Sequence, residues 1–272
     1  MSDLHSDLQG NWIWYELLAD DPHAAKAFYE AVVGWSITLD AMPMSEPDTA
    51  YAMITAQDGP MVGGMLTITA EMKAQGARSM WLGYVSVEDC AATLEAIEKR
   101  GGRVLMPATT LDVGTMAMVM DPWGAPFYIM TPVPQPGNGP STAFSPTQVG
   151  RCGWNELHTS DQASAVGFYT GLFGWSLPGS MDMGGFGTYQ FIGKGEVTLG
   201  AIMTSPPQSP PPHWNHYFRV VSIPAAKAAV EEHGGQVVHG PMEVPGGDWI
   251  LMGIDPQGAP FALVGGADPV EA

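Results

Sequence analysis

The chain has 272 residues, 45% of them hydrophobic, and its 28 acidic and 10 basic residues give a formal net charge of −18 at pH 7. Such a chain can form two ordinary hydrophobic cores. The shortage of lysine and arginine excludes nucleic acid as a partner, because basic side chains must neutralise the phosphates. No apolar stretch reaches the about 18 residues of a membrane span. Cys90 and Cys152 are the only cysteines, so we expect a cytoplasmic protein without a membrane partner or disulfides.

The first predicted elements are a strand and a helix. Trp14 and Glu16 alternate with apolar residues, which is the two-residue period of a strand. Asp21 followed by Pro22 is typical of a helix start, and Gly34 is typical of a helix end. Three strand-like runs follow and complete a βαβββ module, at residues 35–39, 50–56 and 61–69.

A second module of the same order follows the first. Its predicted strand covers 81–87, its helix 90–100, and its last three strands lie near 103–105, 115–120 and 126–130. The rest of the chain then repeats both modules. The pattern W-x-E-L-x3-D-x6-F-Y-x4-G-W-S begins at Trp14 and again at Trp154, 140 positions later, and D-P-x-G-A-P-F begins at Asp121 and at Asp255. The chain is therefore a tandem duplication.

A proline- and glycine-rich segment separates the two copies, and prolines at this density favour an extended connector. We predict one domain over residues 1–132, with modules at about 11–70 and 80–131. A linker covers 133–150, and a second domain covers 151–272, with modules at about 151–204 and 213–265. Few helices and many strands predict an α+β fold with mixed sheets. We call residues 1–132 copy one and residues 151–272 copy two.

This order of elements, with D-x6-F-Y-x4-G-W after the first strand and D-P-x-G-x-P-F before the last, resembles the vicinal oxygen chelate superfamily. That superfamily includes glyoxalase I, bleomycin-resistance proteins, fosfomycin-resistance enzymes and extradiol dioxygenases, and the chain looks like a bacterial tandem two-domain member. The resemblance implies four βαβββ modules paired into two domains, each with a cup-shaped sheet that holds a small molecule. It is specific for the fold and not for the chemistry.

The resemblance also implies where a divalent metal ion would be bound. Enzymes of the superfamily use His, Gln or Glu from the first strand of each module and Glu from the last. The corresponding residues in this chain are Trp14, Leu82, Tyr128, Trp154, Asn215 and Ala262. An indole cannot ligate a metal, and a phenol or an amide alone is not enough. We therefore expect no cofactor.

A displaced metal site is the alternative. Alternation along the strand places Glu156 and His158 on the same side as Trp154. With His216 or His213 they could bind Zn, Ni, Mn or Fe in copy two. Copy one has Leu18 in place of His158, so this site would have no counterpart there.

Glu16 and Glu156 are candidate catalytic residues, because a carboxyl group in apolar surroundings can act as an acid or base. The alternative is that they accept structural hydrogen bonds. The candidate ligand-binding residues are mostly aromatic: Trp14, Trp81, Tyr128, Trp154, His158, Trp214, Asn215 and His216. Aromatic residues on strands also commonly belong to the core.

Three hypotheses for function follow. The first is a metal-independent protein that binds a small apolar or aromatic molecule. The second is a glyoxalase-like lyase or dioxygenase that uses the displaced metal in copy two. The third is a scaffold that has lost both activities. The protein is expected to be a monomer or a homodimer.

Overall fold

The computed structural model describes residues 8–42, 50–134, 139–206 and 208–268. Over these residues it contains sixteen strands in two eight-stranded mixed sheets and few helices. The predicted α+β class and the four βαβββ modules are confirmed. Copy one consists of β1 (Trp12–Ala19), α1 (Pro22–Val33), β2 (Ser36–Met42), β3 (Tyr51–Thr55), β4 (Met61–Thr67), α2 (Ala70–Ala74), β5 (Met80–Ser86), α3 (Cys90–Lys99), β6 (Arg103–Leu111), β7 (Gly114–Met120) and β8 (Pro126–Pro132).

Copy two repeats this order of strands and long helices. It consists of β9 (Cys152–Thr159), α4 (Gln162–Phe173), β10 (Ser180–Asp182), a 3-10 turn (Gly184–Phe186), β11 (Thr188–Lys194), β12 (Val197–Thr204), β13 (His213–Ser222), α5 (Ile223–Glu232), β14 (Gln236–Glu243), β15 (Trp249–Ile254) and β16 (Pro260–Gly266). The sheet orders are β2-β3-β4-β1-β5-β8-β7-β6 and β10-β11-β12-β9-β13-β16-β15-β14. Each module pairs its first strand with its last in parallel, and its other neighbouring strands are antiparallel.

The predicted helix ends have the expected chemistry. The Asp21 side chain accepts hydrogen bonds from the backbone N–H groups of His23 and Ala24, and Pro22 begins α1. Gly34 ends the helix with φ 82°, a left-handed conformation that glycine adopts at little cost. In copy two, Asp161 and Gly174 have the same roles for α4. Local sequence therefore specifies where both helices begin and end.

Packing divides the chain into two compact units that are each discontinuous in sequence. The first unit comprises Met1–Ile13, Gly83–Pro140 and Trp154–Trp214, and thus modules two and three. The second comprises Trp14–Leu82, Ser141–Gly153 and Asn215–Ala272, and thus modules one and four. Each eight-stranded sheet consists of the strands of one copy, whereas each compact unit combines one module from each copy. The contiguous domains at 1–132 and 151–272 therefore stay a prediction.

Buried hydrogen-bonded chains explain this grouping within each unit. In the second unit, the Trp81 indole donates to the Tyr29 hydroxyl at 2.9 Å, which donates to Asp255 at 3.1 Å. The first unit repeats the arrangement, since an indole donates to the Tyr169 hydroxyl, which donates to Asp121 at 2.9 Å. In both units, the tyrosine of the helix motif F-Y therefore donates to the aspartate of a D-P-x-G turn in another module.

Part of the predicted linker packs with the second unit. Residues 135–138 lie outside the described residues, but 141–153 belong to the second unit. Ala143 is fully buried and its carbonyl accepts from the Cys152 backbone N–H at 3.0 Å. Arg151 is only 1% exposed, and its guanidinium contacts both carboxylate oxygens of Asp58 at 2.8 Å. This end of the segment is therefore anchored in a core.

Candidate functional site

The first strand of copy two carries the predicted polar residues on one face. Alternation along β9 directs Trp154, Glu156 and His158 to the same side of the sheet. Glu156 is buried, with 8% exposure, whereas Trp154 and His158 are half-buried. A buried carboxylate on this face requires hydrogen-bonding partners.

Those partners form a continuous chain. The Trp154 indole N–H donates to the Tyr189 hydroxyl at 2.8 Å, and that hydroxyl donates to Glu156 Oε2 at 2.5 Å. The other carboxylate oxygen, Oε1, lies 2.6 Å from His158 Nε2. Burial, and then the neighbouring Glu156 charge, raise the pKa of the Tyr189 hydroxyl well above its ordinary value. Tyr189 is therefore a neutral donor at physiological pH.

His213 completes the group, which we call the Glu156 cluster: Trp154, Glu156, His158, Tyr189 and His213. The His213 ring stacks on His158 with centroids 5.1 Å apart and planes 10° apart. Its Nδ1 lies 2.8 Å from the Pro211 carbonyl oxygen and donates to it. All five residues belong to the first unit.

His216 is placed differently from His213. Alternation along β13 directs the two side chains to opposite faces of the strand. The His216 ring is 3% exposed and packs edge-on against Tyr15, with centroids 5.0 Å apart, in the core of the second unit. Of the two histidines considered for a displaced site, it is His213 whose ring contacts His158.

Copy one has a related but simpler arrangement. The Trp14 indole donates to the Tyr51 hydroxyl at 3.0 Å, and Glu16 is 2% exposed. The Tyr51 hydroxyl packs against Gly64. A Cβ atom added to this glycine would lie 2.0 Å from the hydroxyl oxygen. Gly64 is the register partner of Glu16, so this glycine makes room for the tyrosine beside the buried carboxyl group.

Neither tyrosine is among the site residues predicted from the sequence. Tyr51 and Tyr189 lie 138 positions apart, close to the spacing of the repeat, and each lies at the start of an equivalent strand. An alignment of the two copies beyond Ser36 would have paired them. That recurrence was the available signal.

The other predicted ligand-binding residues are deeply placed. Trp81 and Trp214 are each 5% exposed, and each indole N–H donates to a buried tyrosine in its own unit. Tyr128 stacks on Tyr84 with centroids 4.2 Å apart and is 3% exposed. Asn215 is 7% exposed. A ligand role for these four residues stays a prediction.

The side chains of the Glu156 cluster are not arranged as the ligands of a divalent metal. Among the residues that the structure describes, no group of three or more His, Cys, Asp or Glu side chains is arranged to hold a metal ion. The two oxygens of Glu156 already bond to Tyr189 and His158, and parallel imidazole rings do not direct their nitrogens to one point as a tetrahedral site requires.

Four βαβββ modules with parallel first and last strands define a glyoxalase-like class of fold. The family model of the Glyoxalase/Bleomycin resistance protein/Dioxygenase superfamily matches residues 13–129 and again 150–263. The chain therefore belongs to this superfamily, as a tandem member.

Individual relatives and structures agree with this assignment. The chain is 30% identical over 257 residues to the "Putative glyoxylase CFP32" of Mycobacterium tuberculosis, covering 94% of this chain and 95% of the relative. It is 32% identical over 135 residues to the "Anthracycline biosynthesis protein DnrV" of Streptomyces peucetius, covering 45% of this chain and 48% of that protein. It resembles the Mn(II)-bound glyoxalase of Novosphingobium aromaticivorans with TM-score 0.62, 18% identity and coverage of 97% of this chain and 84% of that chain.

A dioxygenase structure has the same architecture. The 2,2',3-trihydroxybiphenyl 1,2-dioxygenase of Sphingomonas wittichii matches with TM-score 0.59 and 15% identity over 95% of this chain and 90% of that chain. At such identities the two structural matches establish the fold and not the reaction. Separately, none of the helices in the described residues is long and apolar enough to cross a membrane.

Proposed function

We propose that the protein binds a small apolar or aromatic molecule without a metal, against the Trp154 face of β9 and the equivalent Trp14 face of β1. The observation that carries this proposal is the aromatic wall that Phe191 forms with Trp154 and Tyr189 of the Glu156 cluster. Trp154 and Tyr189 lie nearly parallel, with planes 4° apart, and Phe191 meets both edge-on at about 6 Å. Trp154 and Phe191 are half-buried, so each offers apolar surface to a flat ligand.

The hydrogen bonds of the cluster support the same proposal. Trp154 donates to Tyr189 and is held in one orientation, which lowers the entropy lost when a ligand stacks on its ring. The Glu156 carboxylate is engaged on both oxygens. It therefore orients the wall rather than offering a vacant ligand position to a cation.

The relative named for anthracycline biosynthesis favours a flat, polycyclic aromatic ligand. Because the match to that protein covers about half of each chain, the ligand class is a proposal here. Glu16 and Glu156, the candidate catalytic residues, have a positioning role in this proposal.

Tryptophan fluorescence tests the proposal. Protein treated with EDTA and dialysed is titrated with 2-methoxyanthraquinone, a neutral flat probe, and quenching gives the dissociation constant. We expect saturable binding that Trp154→Ala weakens by about tenfold or more, because a stacked aromatic contact of about 1.5 kcal/mol is removed. Trp154→Phe keeps an aromatic ring and should weaken binding less. Trp14→Ala reports on copy one in the same way.

Two results would contradict the proposal. One is quenching that appears only after a divalent metal is restored. The other is stoichiometric Zn, Ni, Mn or Fe in protein purified without a chelator, which would favour the alternative of a lyase or dioxygenase with a displaced metal in copy two.

A further inference from the structure

Four methionines lie on one face of the last three strands of copy one. Met106 is on β6, Met116 and Met118 are on β7, and Met130 is on β8. Alternation along β7 directs Met116 and Met118 to the same side of the sheet. Met106 is the register partner of Met118, and Met130 is the register partner of Met116. We call these four residues, which all belong to the first unit, the methionine face.

The register brings the four side chains within reach of one another. Directly opposite residues of antiparallel strands have Cβ atoms about 4.5–5.5 Å apart, and diagonal neighbours about 7–8 Å apart. A methionine side chain is unbranched and flexible, so several sulfur atoms can turn towards one point between the strands. All four side chains are half-buried, so a solute can reach them while the sheet fixes their backbone positions.

Copy two shows that an apolar surface at these positions does not require methionine. In the same registers it has Ile250 opposite Val264 and Met252 opposite His239. β-branched residues suit strands better than methionine does. The one methionine that copy two retains accepts a hydrogen bond at its sulfur from the Tyr217 hydroxyl at 3.7 Å. Copy one therefore has a set of thioethers where copy two mostly has hydrocarbon or an imidazole.

The chemistry of these sulfur atoms indicates which solute they suit. A thioether is a neutral, polarisable ligand, and soft ligands of this kind select Cu(I) over hard divalent ions. The net charge of −18 favours a cation near this protein. Met120 lies on the same face of β7, but its sulfur accepts from the Arg103 guanidinium at 3.0 Å, so we do not count it among the ligands.

We propose that the methionine face binds one Cu(I) ion through thioether sulfur atoms of Met106, Met116, Met118 and Met130. The ion enters and leaves as Cu(I), so no electron is transferred and no bond of the protein breaks. This site goes beyond the proposed function and does not depend on it, because the aromatic wall and the Glu156 cluster belong to copy two.

A competition titration tests the proposal. The full chain is titrated under anaerobic conditions with Cu(I) in the presence of bicinchoninate, whose coloured complex reports the copper that the protein does not take. We expect one equivalent of Cu(I) to be withdrawn. A thioether carries no proton, so the affinity should change less than about threefold between pH values of about 8 and 5, whereas imidazole or thiolate ligands would bind less tightly as they are protonated.

X-ray absorption identifies the ligand atoms. In protein labelled with selenomethionine, the copper edge should show selenium neighbours in place of sulfur. Cysteine sulfur would be unchanged by this labelling, so Cys90 and Cys152 cannot produce the same result.

Three variants accompany the wild type. Met116→Ile combined with Met130→Val reproduces the residues of copy two and should weaken Cu(I) binding about tenfold or more, since two of the four ligands are removed. Met118→Leu nearly conserves the side-chain volume and should also weaken binding. Met61→Leu, at a position of β4 that is 51% exposed, is the control and should behave as wild type.

Three results would overturn the proposal. They are wild-type protein that withdraws no Cu(I) from bicinchoninate, unchanged affinity in folded Met118→Leu and the double variant, and a copper spectrum without selenium neighbours. Circular dichroism of each variant checks that the fold is retained. None of these results would affect the binding of 2-methoxyanthraquinone, so the proposed function is tested separately.

Discussion

The Tyr189 hydroxyl connects the two sides of the Glu156 cluster, and its removal should be costly. In Tyr189→Phe, the Glu156 carboxylate loses a donor at 2.5 Å and the Trp154 indole loses an acceptor at 2.8 Å. A hydrogen bond to a charged group contributes about 1.5–3 kcal/mol, and an orphaned buried donor costs about 1–3 kcal/mol. Because Trp154 is half-buried, water can accept from its indole N–H in the variant, which lowers the cost of the lost Tyr189 acceptor. We expect a loss of about 2–4 kcal/mol in the free energy of unfolding.

The measurement is urea unfolding followed by circular dichroism, in a cycle of Tyr189→Phe, Glu156→Gln and the double variant. The phenylalanine keeps the ring contacts to Trp154 and Phe191, so the loss reports on the hydroxyl and not on a cavity. We expect a coupling energy of about 1–2 kcal/mol between the two positions. A single-variant loss below about 0.5 kcal/mol, or no coupling, would refute the proposed chain of hydrogen bonds.

Two further predictions concern groups that support the fold. Burial raises the pKa of the Asp121 carboxyl group, so its contribution to stability is present below about pH 4 and is lost as the pH rises through its folded-state value. Wild-type protein should therefore lose unfolding free energy relative to Asp121→Asn as the pH is raised from about 4 towards neutrality, and a constant difference in urea titrations would contradict this. Gly200→Ala should prevent folding or lower the melting temperature strongly, because its Cβ would lie 1.7 Å from the Asn155 carbonyl oxygen. Gly167→Ala, in an exposed helical position with open space around it, should instead stabilise by about 0.5–1 kcal/mol, and a similar melting temperature for the two variants would count against the packing argument.

The fold was largely readable from local patterns. The strand period at Trp14 and Glu16, the Asp21 cap and the Gly34 stop depend only on residues a few positions apart, and each has its counterpart 140 positions later. Such signals specify elements and their order. They do not state which module packs against which, because the F-Y and D-P-x-G motifs find their partners in modules distant in sequence.

The candidate site was readable only in part. Alternation along β9 placed Trp154, Glu156 and His158 on one face without any knowledge of tertiary structure. Tyr189, which bonds to two members of that face, was missed because it lies 33 residues from Glu156 on another strand. The distinction between His213 and His216 likewise needed the structure, since a shift of one residue in strand register exchanges the faces.

Sequence by itself determined the duplication and the class of fold, because motif recurrence and short-range periodicity are properties of the chain alone. Tertiary structure decided that Tyr189 and His213 join Glu156 and His158, and that a buried carboxylate has both of its oxygens engaged. The physical reason is that hydrogen bonds and ring contacts act over a few ångströms in space, and the register between strands determines which distant residues come within that range.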